Sequence, residues 1–260
     1  DAVFNYIEKV NGIKNTRIAD IYESVASEEE QAKAISYATG IPLIGVHHIE
    51  GHVSANYIEH EQLEPPFLCL IVSGGHTDLI LMKDENNFEY LGQTLDDAIG
   101  EAYDKVARIL RLPYPGGPNV EKYALQGQPT YKMPQILNDD SFNFSFSGIK
   151  SHVNNIVHNE KQRGNEIIEY DIARSFQDCV TTHLVDKTKK ALLKYNLKTF
   201  IISGGVASNT HIRESLKEMC ESIGVTMHMP EKKYCTDNAA MIGAAAYVLY
   251  KNNKFTPLST

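Results

Sequence analysis

The stretch Phe67-Leu68-Cys69-Leu70-Ile71-Val72-Ser73-Gly74-Gly75-His76-Thr77 predicts a strand that runs into a glycine turn. Its first six residues form a continuous apolar run, which is typical of a strand buried on both faces. A second apolar run, Leu79-Ile80-Leu81-Met82, follows the turn. The segment is therefore predicted to form two strands joined by a glycine-containing turn.

The turn between these strands has the composition of an anion-binding loop. Adjacent glycines, Gly74 and Gly75, let backbone N–H groups approach an anion closely, and the hydroxyl groups of Ser73 and Thr77 add donors. A hairpin turn that binds no ligand is the more common explanation of one such glycine pair. A phosphate clamp is therefore predicted only with support from elsewhere in the chain.

That support comes from a second apolar run with the same ending. Thr199-Phe200-Ile201-Ile202 leads into Ser203-Gly204-Gly205, and a helix is predicted from about Thr210 to Ile223. A helix N-terminus offers unpaired N–H donors and positive partial charge to a phosphate, and Asn209 is placed either to cap this helix or to contact an adenosine. The two loops together predict an α/β domain that holds a nucleotide between them.

A metal site is predicted from two distant segments. In Val46-His47-His48-Ile49-Glu50-Gly51-His52, the residues His48 and His52 are four apart and share one face of a helix. Asp237 would complete a set of two imidazoles and one carboxylate, which holds a divalent metal ion and leaves coordination positions open for water or substrate. The alternative is a helix start whose imidazoles are merely capped or solvated.

A zinc protease is disfavoured for this histidine pair. In such proteases the Glu directly follows the first ligand and activates the metal-bound water. Glu50 is instead two residues from both His48 and His52, which turns it away from the ligand face.

Other segments have structures predicted from local patterns, and Pro113–Pro118 has glycines that allow close backbone approach to a ribose or phosphate. The predicted elements are a strand at Phe4–Ile7, a helix at Ala32–Gly40, a strand at Ile41–Val46, a helix at Thr94–Arg108, a rigid turn at Pro113–Pro118 and a core-packing strand at Phe142–Lys150.

Seven motifs, in this order, resemble the TsaD family of tRNA adenosine threonylcarbamoyltransferases, also called the Gcp or Kae/OSGEP family. The resemblance extends from about Ile41 to about Tyr250. The motifs are His-His-Ile-Glu-Gly-His at 47–52, Val-Ser-Gly-Gly-His-Thr at 72–77, Gly-Glu-Ala-Tyr-Asp-Lys at 100–105, Tyr-Pro-Gly-Gly-Pro at 114–118, Phe-Ser-Phe-Ser-Gly-Ile-Lys at 144–150, Ser-Gly-Gly-Val-Ala-Ser-Asn at 203–209 and Cys-Thr-Asp-Asn-Ala-Ala-Met-Ile-Gly at 235–243.

The resemblance implies an α/β, actin-like ATPase fold, shared by sugar kinases, Hsp70 and actin, with two lobes around a nucleotide cleft. Residues 1–66 are expected to form the first lobe and carry the metal histidines, and residues 67–260 the second. The second lobe is expected to contain a helical insertion around 120–195, and the last helix to return to the first lobe. The family's opening segment Gly-Ile-Glu-Thr-Ser-Cys-Asp-Asp-Thr and its Gly-Pro-Gly-Leu turn are absent from residues 1–40, so the first lobe is expected to be incomplete or divergent.

The resemblance also implies transfer of a threonylcarbamoyl group from threonylcarbamoyl-AMP to N6 of adenosine 37 in tRNAs that read codons beginning with A. Partners of two kinds are expected, an inactive paralogue of the TsaB type and a small ATPase of the TsaE type. Iron or zinc is expected at His48, His52 and Asp237. An adenine nucleotide or threonylcarbamoyl-AMP is expected to contact Ile71, Val72, Ser73, Gly74 and Gly75 with its phosphate or carbamoyl portion, and Asp104, Gly117, Glu121 and Asn209 on its adenosine side.

The transfer chemistry needs no covalent nucleophile, because an activated carbonyl held beside an amine can supply most of the rate. A group must still accept the amine proton, and His47 and His76 are the candidate general bases. Three alternatives stay open: a nucleotide-binding scaffold without activity, a small-molecule kinase of the same superfamily, and a metallopeptidase. The kinase would leave the histidine pair without a role.

Composition favours a cytoplasmic enzyme. The chain has 260 residues, of which 42% are hydrophobic, and no apolar run long enough to span a membrane. It carries no secretory signal, and its four cysteines lack paired spacing, as in reduced thiols. A net charge of −8 argues against broad nucleic-acid binding, so tRNA is expected to be contacted locally or through a partner. The candidate surfaces are the basic stretch Asp186–Lys198 and the segment Asn138–Gly164.

Overall fold

The computed structural model describes residues 28–60, 62–84 and 87–258. The chain divides into two compact units, one formed by residues 1–47 and 245–260 and a larger one formed by residues 48–244. The larger unit contains both His48 and His52, whereas the predicted division after residue 66 assigned them to a first lobe. That division into lobes stays a prediction, and the predicted strand Phe4–Ile7 lies outside the described residues.

The described part of the larger unit is built around a five-stranded sheet in the order β3-β2-β1-β4-β5. The first three strands are antiparallel neighbours, and β4 and β5 run parallel to β1. The predicted strands at 67–72, 79–82 and 199–202 are confirmed. The strands are β1 (Phe67–Val72), β2 (Thr77–Asp84), β3 (Asn87–Gln93), β4 (Thr199–Ser203) and β5 (Thr226–His228).

Helices cover both faces of this sheet. None of the described helices has both the length and the apolar composition needed to cross a membrane. The helix predicted from about Thr210 is confirmed. The helices are α1 (Glu28–Thr39), α2 (His48–Ser54), α3 (Ile99–Ile109), α4 (Gly116–Ala124), α5 (Ser147–Gln162), α6 (Glu169–Lys194), α7 (Thr210–Ser222) and α8 (Ala239–Lys251).

The buried strand β1 sends alternate side chains to two separate hydrophobic cores. Leu68, Leu70 and Val72 join the larger core, which contains residues of α3, α5, α6 and α7. The intervening residues, which begin with Phe67, join a smaller core with Ile49 and Val53 of α2. A continuous apolar run is therefore explained by a strand covered on both faces, and one of its faces supports α2.

In the smaller unit the predicted helix and its glycine stop are confirmed. Gly40 follows α1 with a φ of +71°, and its N–H bonds to the carbonyl of Ser36 at 2.9 Å. The strand predicted at Ile41–Val46 is wrong, because these residues adopt no regular structure. Their backbone groups bond instead to Thr256, whose N–H donates to Leu43 and whose hydroxyl oxygen accepts from Gly45.

The helix predicted at Thr94–Arg108 begins later than expected. Residues 94–98 form a non-helical turn in which the Thr94 hydroxyl donates to the Asp97 carbonyl at 2.6 Å. Ala98 is extended, and α3 starts at Ile99, whose N–H bonds to the Thr77 hydroxyl at 2.9 Å. The side chains of this turn compete with helical hydrogen bonding, so the helix begins five residues after the predicted start at Thr94.

Two further predictions are corrected by where helices begin. The strand predicted at Phe142–Lys150 is wrong, because residues from Ser147 onward belong to α5. The aromatic residues of the segment are buried, as the predicted core packing requires. The predicted turn at Pro113–Pro118 contains the start of α4 at Gly116. Pro118 is compatible with that start, because a proline in the first helical turn loses no hydrogen bond.

Asp96 explains why α5 begins at Ser147. Its carboxylate accepts from the backbone N–H groups of Phe146 and Ser147, at 2.7 and 3.1 Å, and from the hydroxyl groups of Ser145 and Ser147, at 2.6 and 2.8 Å. The N–H groups at a helix start have no partner within the helix, so a carboxylate there is stabilising. A residue fifty positions away in sequence thus caps the helix.

Replacing Asp96 with Ala is expected to lower the free energy of unfolding by about 1–2 kcal/mol, the usual cost of losing a helix cap. Burial disfavours the ionised form, but the hydrogen bonds from residues 145–147 outweigh it and lower the pKa of Asp96. Its contribution is therefore present above the ordinary aspartate pKa and is lost as pH falls through the lowered pKa. Urea unfolding at pH 7 and at pH 3 measures both effects, with Asp186→Ala, an exposed aspartate on α6, as the control. Equal losses for the two variants at pH 7 would contradict the capping role.

Candidate metal and nucleotide site

The structure brings the three predicted metal ligands together. His48 and His52 lie on α2, and Asp237 lies in the turn before α8. One ligand atom from each residue fits within a cluster of 4.8 Å. The Asp237 Oδ1 is 3.6 Å from the His48 Nε2 and 3.2 Å from the His52 Nε2. His48 and Asp237 are almost 190 residues apart in the sequence, and the fold brings them together within one compact unit.

The environment of His52 suits a metal ligand. Its side chain is fully buried, and neither ring nitrogen has a hydrogen-bond partner among the described residues. The Nε2 is close to Asp237, but the two atoms are not aligned as donor and acceptor. Burial and then the neighbouring His48 lower the pKa of His52, against an opposing effect of Asp237. A buried, neutral imidazole with an unpartnered nitrogen is the form that binds a metal ion.

The neighbouring elements hold this cluster in place through contacts that the sequence pattern did not reveal. The Ser203 hydroxyl at the end of β4 donates to the His52 carbonyl at 2.6 Å, in a buried position. The Asn238 side chain accepts from the Met241 N–H at 2.9 Å and so caps α8 directly after Asp237. An Asn before an apolar run is a recognised helix-start signal, so the cap was available from sequence, whereas the Ser203 contact was not.

The two Ser-Gly-Gly segments lie side by side, as predicted. They follow β1 and β4, which are parallel neighbours with Ile71 opposite Ser203. Gly204 has a φ of +95°, and a Cβ at this residue would overlap the backbone of Val72. The second glycine loop therefore packs directly on the end of β1.

The hydrogen bonding of the first loop is only partly as predicted. The N–H groups of Gly75 and His76 bond to the Ser73 hydroxyl oxygen, at 3.4 and 3.0 Å, and the Ser73 N–H bonds to the His76 carbonyl. The Thr77 hydroxyl is buried within β2 and accepts from the Ile99 N–H, so its predicted role as a donor to a ligand stays a prediction. Among the described residues, Gly74 is the loop member whose N–H has no partner. The phosphate clamp stays a prediction with fewer free donors than expected.

The residues expected on the adenosine side form two linked pairs. The Asp104 carboxylate accepts from Gly116 at 2.8 Å, next to Gly117, and the Glu121 carboxylate accepts from the Thr210 N–H at 2.7 Å, next to Asn209. A Cβ at Gly117 would meet no atom within 4 Å, so the space above it is open. These contacts place α3, α4 and the start of α7 around one region.

Asn209 caps the start of α7, which is one of the two roles predicted for it from the sequence. Its side-chain oxygen accepts from the Ile212 N–H at 3.0 Å, which confirms the predicted helix cap. Its amide donates to Gln177 at 3.1 Å, and the residue is 5% exposed. Both ends of the side chain are engaged within the protein, so an adenosine contact through this side chain stays a prediction.

Of the two candidate bases, His76 is the one whose ring lies close to a residue of the metal cluster. Its ring centroid is 6.2 Å from that of His48, and its side chain is half-buried. His47 is an exposed residue directly before α2. His76 therefore lies near a metal ligand, and its role as general base stays a prediction.

Comparison with known proteins finds similarity over most of the chain. Residues 29–244 match the family model described as TsaD, tRNA N6-adenosine threonylcarbamoyltransferase. A protein of that name from Staphylococcus aureus strain Newman is 46% identical over 254 residues, which cover 97% of this chain and 74% of the relative. The matched regions include all three residues of the metal cluster.

Solved structures show the fold. Full-length HypF in its phosphate- and nucleotide-bound form aligns with 86% of this chain and 38% of its own, at a TM-score of 0.64 and 14% identity. HypF from T. kodakarensis aligns with 89% of this chain and 40% of its own, at a TM-score of 0.66 and 15% identity. The chain thus spans about two fifths of each HypF structure. The predicted α/β fold is therefore confirmed.

Proposed function

The chain belongs to the TsaD family of tRNA N6-adenosine threonylcarbamoyltransferases, and we propose that it transfers the threonylcarbamoyl group of threonylcarbamoyl-AMP to N6 of adenosine 37 in tRNAs that read codons beginning with A. The observation that carries this proposal is the convergence of His48, His52 and Asp237 beside the two glycine loops. A nucleotide-binding scaffold would not need a buried imidazole whose ring nitrogens lack partners among the residues that the structure describes.

The residues of the cluster fit iron or zinc, with two imidazoles and one carboxylate as ligands. When bound, the ion supplies a Lewis acid that stabilises negative charge on the carbamoyl or phosphate oxygens as the bond to AMP breaks. His52 is fixed by burial and by the Ser203 contact to its carbonyl. His48 and Asp237 are exposed, so the cluster faces solvent on the side from which a substrate can enter.

The glycine loops and the α3–α4–α7 region supply binding and orientation. The adenylate phosphate fits beside Gly74 and Gly75, and the adenosine fits the open space above Gly117. The N6 amine attacks the carbamoyl carbon, a C–N bond forms, the C–O bond to phosphate breaks, and AMP leaves with the bonding electrons. The amine then loses one proton, and His76 is the proposed acceptor. The centroid of its ring is 6.2 Å from that of His48, which places it near the metal ligands.

Partner proteins complete the proposal. We assign to this chain the partners expected from its family, an inactive paralogue of the TsaB type and a small ATPase of the TsaE type. A net charge of −8 supports a role for partners in holding tRNA, since phosphate contacts come chiefly from Lys and Arg. Since the substrate is tRNA, we propose a cytoplasmic location.

The direct test is transfer of isotopically labelled threonine from threonylcarbamoyl-AMP to tRNA. The metal-loaded chain with both partners is expected to label a tRNA that reads A-starting codons and not a tRNA whose adenosine 37 is replaced by guanosine. Elemental analysis of the same sample measures the bound metal. Absence of label in tRNA, with metal bound and partners present, would contradict the proposed function.

Replacing Gly75 with Val is expected to weaken binding of AMP at least about tenfold, equivalent to about 1.4 kcal/mol. No atom of the described residues lies within 4 Å of a Cβ at this position, so the side chain enters space that the ligand phosphate needs and leaves the fold unstrained. Isothermal titration with AMP measures the affinity, and the melting temperature should stay unchanged. Gly75→Ala, which adds a single methyl group, is expected to have a smaller effect. Unaltered affinity in Gly75→Val would show that the loop is only a turn.

A further inference from the structure

The exposed face of α5 is rich in hydrogen-bond donors and poor in free carboxylates. Glu160 is the single carboxylate of the helix, and it is paired with Arg163 at 3.1 Å and with the Asn165 amide at 2.6 Å. Such a face stands out in a chain with a net charge of −8. The exposed residues of α5 with side-chain donors are Ser147, Lys150, Ser151, Asn154, Asn155, His158, Asn159, Lys161 and Gln162.

The cations of this face are available to a ligand. Lys150 and Lys161 have no ion-pair partner within the part of the chain that the structure describes. They are eleven residues apart, which is about three helical turns, so they share one side of the helix about 16 Å apart along its axis. Two cations at this spacing match phosphates several nucleotides apart on a nucleic-acid strand.

A groove lined by both polar and apolar residues runs beside the same helix. It has a volume of about 300 Å³ and lies between α5 and the segment Pro134–Leu137. On the helix side it is lined by Gly148, Ile149, Ser151, His152 and Asn155. Hydroxyl and amide groups of this kind bond to phosphate and to ribose hydroxyl groups.

The rival basic stretch at 186–198 is mostly engaged within the protein. Lys187 is buried and bonds to Asp139 at 2.7 Å, and Lys190 bonds to Asp140 at 3.0 Å. Lys194 lies over the ring of Phe142, 5.0 Å from its centroid. Three of the five lysines in this stretch are therefore engaged, whereas Lys150 and Lys161 of α5 both lack an ion-pair partner among the described residues.

The start of α5 is also close to the first glycine loop. Asp96 bonds to Ser147, and Ile99, three residues after Asp96, bonds to Thr77 directly after that loop. Three residues of chain span at most about 11 Å. The beginning of α5 is therefore within reach of a tRNA strand whose adenosine lies at the loop.

We propose that the exposed face of α5 and the groove beside it bind the sugar–phosphate backbone of the tRNA strand next to the modified adenosine. Lys150 and Lys161 pair with phosphates, and the groove takes ribose and phosphate oxygens. This inference rests on the proposed function, because that function supplies the tRNA. It names the surface through which a chain with a net charge of −8 would bind the negatively charged tRNA.

The test is a titration of tRNA with the full chain and its partners, over a range of salt concentrations. Lys150→Glu with Lys161→Glu is expected to weaken tRNA binding at least about tenfold, because two attractive contacts become repulsive. Lys150→Ala with Lys161→Ala should reduce the slope of log affinity against log salt by about 1.4, as for two single-strand phosphate contacts. Lys189→Glu with Lys198→Glu, the same charge change at exposed lysines near the end of α6, is the control and should have a smaller effect.

AMP affinity and melting temperature should be equal in all variants, which separates this surface from the adenylate site. If the unmodified chain labels tRNA but the α5 variants bind tRNA as tightly as the α6 control, the surface assignment is overturned and the proposed function stands. If the α5 variants lose a partner protein while their tRNA affinity is retained, the face belongs to a protein interface and the assignment is also overturned. If the unmodified chain binds no tRNA, both proposals fail.

Discussion

Replacing His52 with Ala is expected to remove the bound metal ion and, with it, threonylcarbamoyl transfer. His52 is the fully buried member of the cluster, and its replacement leaves only two of the three candidate ligands. Replacing a residue that only hydrogen-bonds to a metal ligand costs about 10–100-fold in metal affinity or activity. Replacing a ligand itself should therefore cost at least about 100-fold. Elemental analysis and labelled-threonine transfer measure the two effects.

The fold is expected to survive this change. Removing the ring leaves a cavity, but it also removes two buried nitrogens that have no hydrogen-bond partner in the described part of the chain. The second effect offsets part of the first. The metal-free variant should therefore unfold within about 2 kcal/mol of the metal-free parent. His60→Ala is the matched control, since His60 is a half-buried imidazole bonded to the Met229 carbonyl. Transfer at the parental rate in a His52→Ala protein that contains no metal would contradict the assigned ligand role.

Much of the sheet could be predicted because its signals are local. The six apolar residues from Phe67 to Val72 can be buried on both faces only in a central strand, and that is where β1 lies. The repeat of Ser-Gly-Gly after β4 predicted that two loops meet, and the parallel pairing of Ile71 with Ser203 brings them together. The shared face of His48 and His52 follows from helical spacing alone.

The errors arose where distant residues decide the local structure. Residues 41–46 look like a strand, but their backbone groups bond to Thr256, more than 200 residues later. The start of α5 is set by Asp96, fifty residues earlier. Local patterns contain no information on these contacts, and the approach of Asp237 to His52 was predictable only from the chemistry of the ligand set.

Replacing Gly204 with Ala is expected to lower the free energy of unfolding by at least about 3 kcal/mol. Its backbone, at a φ of +95° and a ψ of +161°, lies in a region that only glycine adopts readily, and forcing another residue into it costs about 1–3 kcal/mol. The added methyl group would also overlap the backbone of Val72, which is held in the centre of the sheet and cannot move aside cheaply. For a domain stabilised by about 5–15 kcal/mol, the sum is a large fraction of the total.

Gly205 offers a matched control one residue away. A Cβ there meets only the Thr236 methyl group, at an ordinary 3.8 Å, so Gly205→Ala is expected to change the free energy of unfolding by less than about 0.5 kcal/mol. Urea unfolding and soluble yield compare the two variants. In Gly204→Ala the strain acts next to Ser203, whose hydroxyl holds the His52 carbonyl, so any protein that does fold should also bind metal more weakly. Equal stability of the two variants would mean that β1 and the second glycine loop are not packed as closely as described, and it would remove the structural reason for placing the metal ligands beside both loops.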